Sequence, residues 1–226
     1  IVAFPLLLIL PCVQTTTKHP RHPSKSNLKV IGLALHNYHE TYRTFPPAFL
    51  ADENGQPMHS WRVLILPFLD EQELYDRYRF DQPWHGPDNW KLIDQMPDCF
   101  RFRHADQSER KSVSRPAGTT IYVAPRGEGT VMSGAIPVSI DDVTDGLSDT
   151  IQIVEDSFYP VPWLAPDDVP YELCLKHLRT SDPEGLPYGQ HVLFCDGIVR
   201  LLLNDHDEKL FRKLLIRNDG EEIGPY

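Results

Sequence analysis

Four aspartates crowd into the segment DDVTDGLSDT: Asp141, Asp142, Asp145 and Asp149. Carboxylate oxygens are hard donors, and several at close spacing suit calcium. The order is not that of an EF-hand loop, because Val143 stands where a ligand would be required. The competing reading is a turn, in which Asp145-Gly146 reverses the chain and the Asp and Thr side chains cap its backbone. A second group is the HNYH motif, where His36 and His39 are three apart, a spacing that lets two imidazoles on one helix share a metal. No third ligand follows at a fixed spacing, and the alternative is a pair bordering a buried face. His19 and His22 sit in a proline-rich stretch and carry less weight still. The third group is aromatic: Trp84, Trp90 and Trp163, with Tyr75 and Tyr78, are the residues to line a sugar or peptide groove, or else to fill a core.

Enzyme chemistry needs a nucleophile, a base and an orienting group within reach of one another. The chain has no G-x-S-x-G, no H-E-x-x-H, no glycine-rich phosphate loop and no P-loop, so no catalytic residue is assigned. A net charge of −10 repels phosphate backbones, and no Lys/Arg run interleaved with aromatics offsets it; nucleic acid is not an expected partner. Cys12, Cys99, Cys174 and Cys195 include no C-x-x-C pair. Buried thiols or one or two disulfides both fit that spacing.

The elements that must position these groups start with a helix over Ser24 to Phe49. Leu28, Ile31, Leu35, Tyr38 and Tyr42 recur at steps of three and four and form one apolar stripe. Ser24 or Ser26 is the expected N-cap, and Pro46-Pro47 the stop. A turn at residues 53–57 leads into the apolar run Trp61 to Leu69, a short helix or a buried strand, with the helix favoured because helical spacing continues through Leu74, Tyr75 and Tyr78, and a further short helix is expected over Asn89 to Gln95. Arg103 to Gly118 reads as a hydrophilic loop. Strands are expected at 119–124, near 135–140, at 149–155, and at 191–196 and 197–203 around an Asp196-Gly197 hairpin turn. An amphipathic helix through Leu210, Phe211, Leu214 and Leu215, stopping at residues 218–220, closes the chain. The fold class is α+β.

Residues 1–23 form a separate unit in this reading: the uncharged IVAFPLLLILPCV, then the polar, proline-broken linker TTTKHPRHP. Thirteen apolar residues are too few for a membrane span of about twenty, so the expectation is the second half of a membrane helix, with a signal-peptide core as the alternative. Residues 24–226 form the folded domain.

The strings NLKVIGLALHNYHETYRTFPPAF, HSWRVLILPFLDEQELYDRYRFDQPW, DVTDGLSDTIQIVEDS with VPWLAPDD, and HVLFCDGIVRLL with LIRNDGEEI resemble, in this order, a bacterial prepilin-like family of unknown function. It is known by a C-terminal H-X9-DG motif and also carries a solute-binding label. The resemblance implies a pilin-like or pseudopilin-like fold, with an N-terminal helix half in the membrane and half packed on an antiparallel sheet. It further implies a cell-envelope location, anchoring through the N-terminal helix, and self-assembly or packing with similar subunits in a pseudopilus of the type II secretion kind. By analogy with pseudopilins, it also implies calcium at the aspartate-rich loop. The chain departs from the pattern at several places. Pro5 stands where a mature pilin has Glu, Leu186 stands where the motif has His, and Ser24 and Phe102 stand at two family cysteines. Only Asp196-Gly197 remains of the motif. The residues expected to hold the domain together are Leu28, Ile31, Leu35 and Tyr38 on the helix, Trp61 and Leu64 beneath it, and Asp145, Gly146, Asp196 and Gly197 at turns. The leading expectation is a non-enzymatic, membrane-anchored envelope protein. A periplasmic or surface module binding a solute or glycan comes second, and a hydrolase third.

Overall fold

A computed structural model describes residues 23–102, 116–181, 188–221 and 223–224. The apolar segment, most of its linker, Cys12, His19, His22 and Leu186 lie outside the described residues.

Helix α1 spans Pro23–Tyr42. Pro23, expected to break the chain's helical path, instead opens the helix, where its missing N–H costs nothing and its fixed φ is already helical. Ser24 therefore lies inside the first turn rather than capping it, buried, with its hydroxyl accepting from the Tyr122 phenol at 3.2 Å. At the other end Arg43 takes a left-handed φ of 64°, and its N–H bonds His39 O at 2.7 Å before the two prolines follow. Leu28, Ile31, Ala34 and Leu35 are fully buried, Tyr38 is half-buried, and Tyr42 has left the stripe for solvent.

A short hairpin follows, β1 (Phe49–Ala51) and β2 (Pro57–Ser60), which periodicity over so few residues does not reveal. Asp52 holds its turn by accepting from Asn54 N and Gln56 N. Ser60 then caps α2 (Trp61–Leu64), its side chain accepting from Arg62 N. The expected helix over 61–69 is interrupted: Pro67 cannot continue the ladder, so residues 66–69 form a 3-10 turn, and Asp70 at φ 60° redirects the chain into α3 (Gln72–Arg77). The helix expected at Asn89–Gln95 is a 3-10 helix over Trp90–Gln95.

Strands β3 (Thr119–Thr120) and β6 (Val161–Pro162) pair with each other. The main sheet is antiparallel throughout, in the order β4 (Tyr122–Val123), β5 (Ile151–Glu155), β7 (Gly189–Phe194) and β8 (Val199–Leu203). No strand forms at 135–140; Pro137 interrupts the segment, which ends in a 3-10 turn at Ile140–Asp142. The Asp196-Gly197 turn joins β7 to β8, with Gly197 at φ 79°. Between β6 and β7 lies α4 (Tyr171–Leu178), an element absent from the sequence reading, and the chain's last helix is α5 (Glu208–Leu215), which ends three residues before the expected stop.

Side chains alternate across the sheet, so it divides two cores. Ile153, Leu193 and Val199 face α1, α2 and the aromatic loops. Val154, Val192, Phe194 and Leu202 face α4 and α5 through Cys174, Leu175, Leu178, Phe211, Leu214 and Leu215. A Cβ on Gly32 would lie 2.8 Å from Leu193 Cδ1, so this glycine sets how closely α1 rests on β7. The result is an α+β domain with an N-terminal helix on an antiparallel sheet.

Candidate functional site

Two of the four aspartates in the acidic segment, Asp142 and Asp145, accept from backbone N–H groups. Asp142 Oδ2 accepts from Ser139 N and Oγ at 2.8 and 2.7 Å, which holds its carboxyl below the usual range. Asp145 accepts from Asp219 N at 2.7 Å and Gly220 N at 2.9 Å, and Asp149 from Ser148 Oγ at 3.2 Å. Gly146, at φ 105°, makes the reversal. Among the described residues no group of three or more His, Cys, Asp or Glu gathers to hold a metal ion.

His36 and His39 both lie against Phe45, with ring centroids at 5.7 and 5.0 Å. His39 Nε2 accepts the Ile140 N–H at 3.2 Å, so that nitrogen is already engaged. Burial, then the neighbouring His36, lowers the pKa of His39.

The three tryptophans do not converge. Trp163 is fully buried, stacks on Phe100 at 6.3 Å and donates to Ile93 O at 3.0 Å, so it is core and not groove. Tyr78 is also buried, its hydroxyl 2.9 Å from His59 Nδ1, and Tyr75 packs on Phe80. Trp84 and Trp90 do meet, with centroids 6.0 Å apart, and Trp90 remains 48% exposed. Their loop is fastened by a residue the sequence reading missed. The buried Asn89 accepts from Arg79 N and donates to the carbonyls of Arg79, Gln82 and Pro83, at 2.8 to 3.2 Å. Trp84 N–H also bonds Met58 O on β2 at 3.1 Å. Two aromatic faces are thereby held in place at the surface.

Other chemistry-bearing groups come together only in three dimensions. Arg62 and Asp168, both fully buried, pair at 2.7 Å. Asp168 also accepts from Ala124 N at 2.8 Å and Trp61 Nε1 at 3.1 Å, while Arg62 donates to Tyr122 O at 2.9 Å and stacks over the Trp61 ring. Burial pushes the Asp168 carboxyl up and the Arg62 guanidinium down, and their mutual attraction opposes both. With every strong donor and acceptor turned inward, the pair fixes α2 to the 164–168 loop and offers nothing to a ligand. At the end of β5, Glu155 and Asp156 point to opposite faces: Glu155 lies 3.3 Å from His191 and Asp156 2.8 Å from His177. The nearby Cys174 thiol is buried, which raises its pKa well above the ordinary value and keeps it from acting as a nucleophile. Between α4 and α5 an open cleft of about 570 Å³ is lined by Lys176, Arg179, Arg212, Glu172 and Glu208. Its charges largely neutralise one another, since Glu208 binds Arg179 at 2.6 Å and Arg212 at 2.7 Å.

Cys99, Cys174 and Cys195 are free and buried. Burial raises Cys99 to about 12. No helix among the described residues is long and apolar enough to cross a membrane.

Fold and surface together define an α+β domain whose polar clusters are chiefly internal and whose most prominent exposed chemistry is an aromatic pair on a fastened loop. Residues 21–170, about two thirds of the chain, match a family model described as "Protein of unknown function (DUF1559)", with the label SBP_bac_10, and the chain belongs to that family. No curated protein and no solved structure matches it.

Proposed function

We propose that this chain is a non-enzymatic, pilin-like protein of the cell envelope, in which α1 joins an N-terminal apolar segment to a displayed sheet domain. The observation that carries this reading is the arrangement of α1. It begins immediately after the linker that follows the apolar residues 1–13, and it buries Leu28, Ile31 and Leu35 against the sheet while Lys25, Lys29 and Leu33 face out. A non-catalytic role is further supported by the polar clusters, which are sealed in the core or neutralised within themselves. The test is flotation of the full chain with phospholipid vesicles. Attachment that is lost in a Leu7→Asp/Ile9→Asp variant with unchanged melting supports the reading; wild-type chain that stays at the bottom of the gradient overturns it.

A second reading, a solute- or glycan-binding module, draws on Trp84 and Trp90 and on the family label. Aromatic faces held in advance suit a sugar ring because little order is lost on binding. Titrating the chain with soluble glycans while following tryptophan emission tests it. A saturable change absent in Trp90→Ala supports the module, and an invariant spectrum overturns it.

A further inference from the structure

The chain has six asparagines, and Asn54 is the one followed by glycine. An asparagine is consumed when the main-chain nitrogen of the next residue attacks its side-chain carbonyl carbon, and a side chain on that next residue crowds the approach. Glycine has none. The pair sits at the tip of the β1–β2 hairpin, where Glu53, Asn54 and Gly55 are all exposed. A Cβ on Gly55 would meet no atom within 4 Å, so the space around the attacking nitrogen is open. Among the described residues no hydrogen bond holds the Asn54 carboxamide, which leaves it free to turn toward that nitrogen.

The chain's three Asp-Gly turns differ in both respects. Asp145 accepts from Asp219 N and Gly220 N, Asp196 from Ile198 N and Arg200 Nη2, and Asp219 from Glu221 N. Their carboxylates are occupied, and a charged carboxylate is a far poorer electrophile than a carboxamide. What restrains Asn54 is its turn. Gly55 N–H donates to Asp52 O at 3.0 Å, and Asp52 Oδ1 accepts from Asn54 N at 2.9 Å and from Gln56 N at 2.8 Å. The hairpin behind this tip is short, three residues on one strand and four on the other, and its register shifts between Leu50 and Ala51. An exposed tip on so short a ladder opens locally, at far less cost than global unfolding.

We propose that Asn54-Gly55 is a site of spontaneous covalent modification, deamidation, with water as the co-reactant. When the turn opens, Gly55 N gives up its proton and attacks Asn54 Cγ. The N–Cγ bond forms, the Cγ–Nδ2 bond breaks, and the nitrogen leaves as ammonia carrying the proton. Water then opens the resulting five-membered imide. Cleavage at Cγ gives aspartate; cleavage at the main-chain carbonyl gives isoaspartate, whose backbone runs through Cβ and Cγ. Both add a negative charge beside Asp52 and Glu53. Isoaspartate also lengthens the tip by one main-chain atom, which the Asp52 N–H to Gln56 O bond at 2.9 Å does not accommodate. The change reaches further along β2, where Met58 O takes the Trp84 N–H.

The inference is independent of membrane attachment. The test incubates the full chain, in a neutral detergent that shields residues 1–13, at mildly alkaline pH beside the same chain unfolded in urea. The peptide covering 44–62 is followed by mass and by enzymatic methylation of isoaspartate. The expected result is a gain of one dalton in the folded chain, isoaspartate being the major product, at a rate within about tenfold of the unfolded chain's. Asn54→Ser should remove the gain, and Asp52→Ala should raise the folded rate to the unfolded one. A folded chain whose peptide keeps its mass while the unfolded chain's is fully converted would overturn the proposal, as would a gain that survives Asn54→Ser. A folded rate unmoved by Asp52→Ala would overturn the restraint assigned to Asp52.

Discussion

On one face of the main sheet, α1 lies across loops, 3-10 turns and two-residue strands, and the core there includes Trp61, Phe100, Trp163, Phe45 and a buried ion pair. On the other, α4 and α5, eight residues each, cover the sheet with Leu, Phe and Cys174 and bury no Arg or Lys. The family match ends at Pro170, so α4, β7, β8 and α5 all lie beyond it. The first face needs specific polar ties because irregular backbone leaves N–H and C=O groups that only placed side chains satisfy. Asn89 and Asp168 supply them there, whereas the second face adds to its helical and sheet ladders only the ties of Asp156 to His177 and of Gln190 to His177 O. Large aromatics with polar anchors define one arrangement; two short helices with aliphatic inner faces define the other.

The sharpest way to break this contrast is at Asp168. Asp168→Ala leaves the Arg62 guanidinium buried and unpaired, for an expected loss of about 3–5 kcal/mol. At roughly 2–4 °C per kcal/mol for a domain of this size, thermal unfolding should move down by about 10 °C. A shift below a few degrees would mean that the first face does not depend on its polar ties. Next come Leu35→Ala and Leu214→Ala, one in each core, each expected to cost about 2–5 kcal/mol in urea melts. Because the two sites share no core cluster, the double variant should be additive within about 0.5 kcal/mol. Strong coupling would show that the sheet does not separate the two layers.

Acid should then act on the first face. His59, buried beside Tyr78 and Phe80, and His39, beside His36 and Phe45, both have pKa values lowered chiefly by burial. Between those values and the ordinary one near 6.5, the unfolded chain binds more protons than the folded one. Stability should therefore hold above that pH and fall as pH drops through it, and a His39→Gln/His59→Gln variant should give a flatter profile in denaturant melts at pH 7.5 and 5.5. The smallest effect belongs to the surface of the second face. Glu208→Gln removes the exposed pairs with Arg179 and Arg212, and the melting temperature should stay within error, since exposed pairs contribute little.

Elements with a long period or a local turn code were legible in the sequence. α1 announced itself through Leu28, Ile31 and Leu35, the β7–β8 hairpin through Asp196-Gly197, and α5 through its apolar stripe. α4, no shorter than α5, was hidden because YELCLKHL spreads Tyr171, Leu173, Leu175 and Leu178 around its turns instead of setting them against a charged face, although Pro170 before it was a usable start signal. Residues 135–140 look strand-like by composition, yet they are claimed by neighbours instead, with Phe45 N–H bonding Val138 O. The polar interior was illegible for a different reason. Arg62 and Asp168 are 106 positions apart, and no spacing rule links residues at that distance. Trp163 and Trp90 are chemically alike in sequence, and only packing sends one to the core and the other to the surface.

The segment after α5 bears on how the molecule comes apart. Arg217 N–H bonds Gly129 O and its Nη1 bonds Thr130 O, while Asp145 takes the N–H groups of Asp219 and Gly220. The stretch beyond the family match is therefore anchored where it leaves, at Pro170, and again where it returns, at 217–220. It is held at both ends: a protease that cut between α5 and Arg217 would free one of them, and any fraying of β8 that followed would also draw Val199 out of the core beneath α1.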